Sequence, residues 1–309
     1  MTPQNNKRRG RPAYIKKRSG KKRKPSRLQI ILSIIFIATA LILSILEEWY
    51  PTREPSDSQN IATEYTESSH NGEDINLEIP ALNGSEKLIN YTGFTVSYNS
   101  KAKIPYWVAY TLENYETEGE NTRTGKKFRP DNSLPYPQAE DDDYRNSGWA
   151  RGHMAPAADF KWSPEAMDDT FYFTNCCPQD VSLNGGMWST LEKKTRSFAK
   201  KYGKVYVVTG PIIGKKKNGT IGQGGVTVPD SFFKALLVFD GKDYQAIAFV
   251  MKNGKQEGNM QKFAMCVNDL EKITGYDLFA QLDDDFEESV EADYKFGVWA
   301  LLLFQILNV

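Results

Sequence analysis

The segment from Trp149 to Arg196 restricts this chain more than any other. Arg151-Gly152-His153-Met154-Ala155-Pro156 is followed by Thr174-Asn175-Cys176-Cys177-Pro178-Gln179, and then by Asn184, Trp188, Glu192 and Arg196 at intervals of four. The chain has two histidines. His70 lies in a polar, turn-rich stretch and reads as a solvated linker residue, so His153 is the imidazole that a folded core can use. A helix over Leu183 to Lys201 would place Asn184, Trp188, Glu192 and Arg196 on one stripe, because residues four apart drift by only ~40° per step. Phe171 to Thr174 reads as a short strand, which with the Arg-Gly-His region predicts two strands and a helix around a common centre.

These residue types suit phosphodiester chemistry. His153 can take a proton from water near neutral pH, its ordinary pKa being ~6.5. Arg151 and Arg196 carry planar forks of donors matched to phosphate oxygens. Asn184 and Glu192 offer hard oxygen donors of the kind Mg²⁺ accepts. On one helix they would be separated by about 12 Å of rise at ~1.5 Å per residue, so both cannot easily touch one ion. Asn184 is therefore assigned to the metal, and Glu192 to holding a water on it from one layer out. Trp188 reads as core.

The combination of Arg151-Gly152-His153, Thr174-Asn175, Pro178-Gln179, Asn184, Trp188, Glu192 and Arg196 resembles the DNA/RNA non-specific endonucleases, the ββα-metal (His-Me finger) nucleases that include secreted bacterial nucleases and endonuclease G. Phe128-Arg129-Pro130-Asp131, Asp143 to Gly148, Thr209-Gly210-Pro211, Val228-Pro229-Asp230 with Phe233-Lys234, and Thr274-Gly275-Tyr276-Asp277 carry the resemblance from about Tyr91 to Glu291. It implies an α+β fold with central antiparallel sheets flanked by helices. It also implies cleavage of DNA and RNA with little sequence preference, leaving 5′-phosphate ends. His153 would be the general base and Asn184 the single protein ligand of Mg²⁺, with Mn²⁺ as the alternative ion. Glu192 would hold metal-bound water, Arg151 and Arg196 would contact phosphate, and Asn175 would help fix the histidine. One position departs: Ala150 stands where the family carries an acidic residue.

Charge and hydropathy divide the rest. Residues 1–27 hold twelve Lys/Arg and no acid, leaving residues 28–309 with a net charge of −12. This segment reads as a disordered basic tail. Leu28 to Leu46 is uncharged and spans about 28 Å as a helix against a hydrocarbon core of ~30 Å, so it is expected to anchor the chain in a bilayer. The basic flank places the tail in the cytoplasm and the remainder outside, periplasmic or extracellular. Residues 47–84 read as a flexible polar linker, and residues 85–309 as the catalytic domain.

Within that domain, strands are expected at Phe94 to Tyr98, Ile104 to Leu112, Val205 to Val208, Phe232 to Phe239 and Tyr244 to Met251. A helix is expected over Gln261 to Lys272, in an architecture of two sheets with helices outside. Arg123 and Arg129, in the long polar stretch Tyr115 to Tyr144, and Lys193 are candidates for substrate contact. Lys193, Lys194, Arg196, Lys200, Lys201 and Lys204, with Lys215-Lys216-Lys217, would supply local basic steering in an otherwise acidic domain. Cys176, Cys177 and Cys266 read as free thiols, with a bridge from Cys266 left open. The apolar run Val298 to Val309 is too short to span a bilayer and reads as a buried strand or short core helix. The competing function is a module that captures nucleic acid without cutting it, a reading prompted by Ala150 and the acidic domain.

Overall fold

The computed structural model describes residues 76–82, 84, 87–214, 218–295 and 298–299. The basic tail 1–27, the apolar segment 28–46, most of the linker, Lys215-Lys216-Lys217, and the C-terminal run apart from Val298 and Trp299 lie outside the described residues. Among the described residues, no helix is long and apolar enough to cross a membrane.

Alternating apolar residues with β-branched and aromatic side chains produce eleven strands among the described residues. They are β1 (Leu88–Tyr91), β2 (Phe94–Asn99), β3 (Ile104–Glu113), β4 (Ala150–His153), β5 (Cys176–Gln179) and β6 (Lys204–Ile212). Then follow β7 (Thr220–Ile221), β8 (Val226–Thr227), β9 (Ser231–Phe239), β10 (Tyr244–Lys252) and β11 (Ala264–Met265). Seven of them form one antiparallel sheet in the order β1-β2-β3-β6-β9-β10-β11, while β4-β5 and β7-β8 are separate two-stranded sheets. The expected pair of main sheets is thus a single large sheet with small hairpins beside it.

The helices are α1 (Asp141–Tyr144), α2 (Pro164–Asp169), α3 (Val181–Asn184), α4 (Met187–Tyr202), α5 (Val267–Thr274) and α6 (Asp284–Glu291). Period two in the strands sends side chains to two separate cores. On β9, Phe232, Leu236 and Val238 join the core beneath α4, whereas Phe233, Ala235 and Leu237 join the core shared with α5 and α6. Helix α4 buries Trp188, Leu191, Thr195, Phe198 and Ala199, a helical spacing, and ends at Gly203, whose φ of 85° is left-handed.

Several expectations change. The expected helix over Leu183 to Lys201 is broken between Asn184 and Met187: a Cβ on Gly186 would fall on the carbonyl oxygen of Ser182, so this turn needs glycine. The expected strand at Phe171 to Thr174 is instead a 3-10 turn, Phe173–Asn175. Its backbone finds a bridge to Arg129 rather than a neighbouring strand. The expected helix over Gln261 to Lys272 begins only at Val267, because Ala264 and Met265 pair with the edge of β10. The folded part also starts earlier than residue 85. Leu77 is buried in the α5/α6 core, and the Ala81 N–H donates to the Asp277 carbonyl at 2.9 Å.

Candidate active site

Antiparallel pairing in the β4-β5 hairpin sets His153 opposite Cys176 and Gly152 opposite Cys177. Any side chain at Gly152 would collide with that of Gln179, which explains the glycine between arginine and histidine. The His153 ring is wedged between Phe128, with centroids 4.5 Å apart, and Phe171, at 5.0 Å and nearly perpendicular. It is 8% exposed, and its buried Nε2 has no hydrogen-bond partner. Burial, assisted by the charge of Arg123, lowers its pKa to about 3. The imidazole is therefore neutral at physiological pH, with its basicity reduced by desolvation.

The arginines divide into two groups. Arg151, expected to contact phosphate, is held by Asp141, whose carbonyl and carboxylate accept from Nη2 at 2.9 and 2.7 Å. It also lies over the ring of Tyr144, which stacks on Phe173. Arg129 is turned to Asp168, 2.5 Å away, and over Tyr172. Arg123 is exposed and lies about the face of Phe171, its guanidinium carbon 6.0 Å from the ring centre, so it stands beside the histidine. Lys193 is exposed on α4.

Asn175 is fully buried with its side chain saturated by backbone. It accepts from Ala155 N–H and donates to the carbonyls of Ala155 and Thr170, each at 2.9 Å. It fixes the chain two residues beyond the histidine and keeps no group for substrate. Asn184 ends α3, which packs against β4, and its amide makes no hydrogen bond among the described residues. The broken helix detaches Asn184 from the α4 stripe, so the rise that separated it from Glu192 in sequence terms does not apply. Trp188, Glu192 and Arg196 remain on α4.

Behind them lies a buried ionic group. Asp159 accepts from Arg196 Nη1 at 2.6 Å and from the Tyr110 hydroxyl at 2.8 Å. Burial raises the pKa of Glu192, while the opposing charges of Lys234, Arg196 and Arg123 resist that shift. Lys234 is also wholly buried.

The family profile described as DNA/RNA non-specific endonuclease matches residues 71–285. This chain belongs to that family. It is 36% identical over 219 residues to the mitochondrial nuclease EXOG of Xenopus laevis, covering 66% of this chain and 61% of that protein. It is 35% identical over 207 residues to human mitochondrial endonuclease G, covering 63% and 70% respectively. The matched region thus spans about three fifths of the Xenopus protein. The crystal structure of an EndoG/EndoGI complex superposes with a TM-score of 0.62 at 26% identity, covering 76% of this chain and 96% of that one.

Within this endonuclease frame, the residues present fit a small hard cation held mostly by water. Asn184 offers a free amide oxygen, and Glu192 adds a carboxylate on the neighbouring helix. Among the described residues, no group of three or more His, Cys, Asp or Glu side chains could hold a metal ion. All three cysteines are free, Cys176 and Cys177 buried and Cys266 half-buried. The basic steering read from α4 and the start of β6 is partly offset by surface acids, since Lys200 pairs with Glu118 and Lys204 with Glu113. Sequence reasoning missed Asp141 and Asp159 as parts of this region, and it named Lys234 only within the Phe233-Lys234 pair, without a role. Lys234 left a signal: it is the one cation inside the apolar run Phe232 to Phe239.

Proposed function

We propose that this chain is a divalent-metal-dependent endonuclease that hydrolyses phosphodiester bonds of DNA and RNA with little sequence preference, leaving 5′-phosphate ends. The observation that carries this reading is the orphaned Nε2 of a neutral His153 in a chain of this family, with α3, which ends at Asn184, packed against the histidine's strand β4. A neutral imidazole with an unpartnered ring nitrogen can accept a proton from a water brought in with substrate. That water attacks phosphorus opposite the 3′ oxygen, and the bond to this oxygen breaks. Arg123 brings positive charge to the phosphate, while Arg196 is held behind the site by Asp159. Asn184 would hold Mg²⁺ or Mn²⁺, with Glu192 orienting water nearby. The ion supplies electrostatic stabilisation to the charge developing on phosphate and leaving oxygen.

Arg151 and Asn175 position rather than react, one braced by Asp141 and the other clamping Ala155. The alternative of a capture module without catalysis drew on Ala150. The Asp141 bond to Arg151 weakens that motive, because an acid from α1 braces the arginine. The apolar, uncharged segment 28–46 supports an uncleaved anchor with the nuclease domain outside the membrane. Recovery of the full chain in a high-salt wash rather than in the bilayer fraction would count against it.

Digestion of plasmid DNA and of RNA by the full chain in Mg²⁺, with an EDTA control, tests the activity. His153→Ala is expected to slow cleavage by about 10²–10⁴-fold, and Asn184→Ala to raise the Mg²⁺ concentration required. An unchanged rate for His153→Ala would overturn the mechanism. EDTA-resistant cleavage would remove the metal.

A further inference from the structure

Lys234 occupies a place where a lysine is seldom found. It lies mid-strand on β9, paired with Thr209 of β6 and Phe249 of β10, and shares the α4-facing parity with Phe232 and Leu236. Its side chain is fully buried, and Nζ has no hydrogen-bond partner. The ammonium lies 5.4 Å from the ring centre of Trp188 and 5.8 Å from that of Tyr110. Those two aromatics stabilise a desolvated cation only in part.

The rest of the compensation comes from carboxylates. Asp159 has both oxygens occupied, one by Arg196 and one by Tyr110. Glu192 follows Trp188 by one helical turn, on the same stripe of α4. Glu192 and Asp159 are the negative groups that act on Lys234, and Arg196 is the positive one. The group therefore contains two carboxylates and two cations, and Lys234 is the member whose charge answers that of Glu192.

We propose that Lys234 is a positioning residue for the nuclease site: its buried ammonium is the counter-charge that keeps the Glu192 carboxylate in place behind the reacting phosphate. This inference rests on the nuclease reading above. Lys234 acts through Glu192 and does not touch substrate, because its side chain is fully buried.

The test is a double-mutant cycle in the full chain with Lys234→Met and Glu192→Gln. Lys234→Met is expected to lower kcat by about 10–100-fold, as loss of a supporting partner does, with KM for DNA changed less than about twofold. On the Glu192→Gln background the same substitution is expected to change kcat less than about twofold. An unchanged kcat, or an equal loss on both backgrounds, overturns the proposal.

Melting in EDTA gives a readout independent of catalysis. Each single variant is expected to melt lower than the double variant, whereas additive losses overturn the link. Should Lys234→Met fail to fold, Glu192→Gln alone still decides, since an unchanged or raised melting temperature would mean that Lys234 does not depend on Glu192. Were His153→Ala to retain cleavage, the nuclease reading would fall while the melting cycle still judged the pair.

Discussion

A histidine held between Phe128 and Phe171 loses the hydration that its charged form needs, and the neighbouring Arg123 disfavours that charge further. The folded pKa lies below the ordinary value, so the neutral ring contributes stability above about pH 6.5, and that contribution is lost as pH falls toward 3. Arg123→Ala removes the second of the two causes. NMR titration of the His153 ring protons is expected to give a higher pKa in that variant, and a lower or unchanged value would mean that burial acts alone. Arg123, unlike Arg129, has no carboxylate partner among the described ion pairs, which leaves its charge available to the site.

Helix α6 offers the opposite case, with acids where a helix least favours them. Asp284, Asp285 and Glu287 lie in its first turn, where the macrodipole welcomes negative charge, but Glu288 and Glu291 lie in its last. Glu291 is 3% exposed, with one carboxyl oxygen unpartnered. Burial, followed by the charges of Glu271, Glu287 and Asp277, pushes its pKa up to about 10. A carboxyl that stays protonated in the fold yet ionises when unfolded contributes its full stability below about pH 4.5. That stability is lost as pH rises toward 10. Glu291→Gln is therefore expected to stabilise the chain at pH 7 by on the order of 2 kcal/mol, and to be nearly neutral at pH 4. Denaturant melts at the two pH values check this. A destabilised glutamine variant at pH 7 would show that Glu291 has a cationic partner.

At the scale of the molecule, a net charge of zero conceals a basic tail and an acidic remainder. With Lys200, Lys204 and Arg196 paired to acids, the cations left to face substrate reduce to about Arg123 and Lys193. Two phosphate contacts correspond to a slope of about −2 in log K against log salt. Binding of a short duplex by His153→Ala across a salt series measures it. A slope steeper than about −6 would require a further basic surface, with the tail the first candidate.

Local sequence alone determined the strands at Phe94 to Tyr98, Ile104 to Leu112, Val205 to Val208, Phe232 to Phe239 and Tyr244 to Met251, and it singled out His153 and Asn184 as the candidates for base and amide ligand. Each of these depends on a period of two or on a short run of residue types. The one-helix stripe from Asn184 to Arg196 failed because periodicity is blind to Gly186, whose backbone turn is imposed by the carbonyl of Ser182. The destinations of Arg151, Arg129 and Arg196 were decided only in three dimensions. An arginine reads alike in sequence whether it faces phosphate or an internal acid. The partner that settles the choice, Asp141, Asp168 or Asp159, lies between 10 and 39 residues away along the chain. Lys234 belongs to the same class: its charge is tolerated in the core because folding brings Trp188, Tyr110 and Glu192 around it.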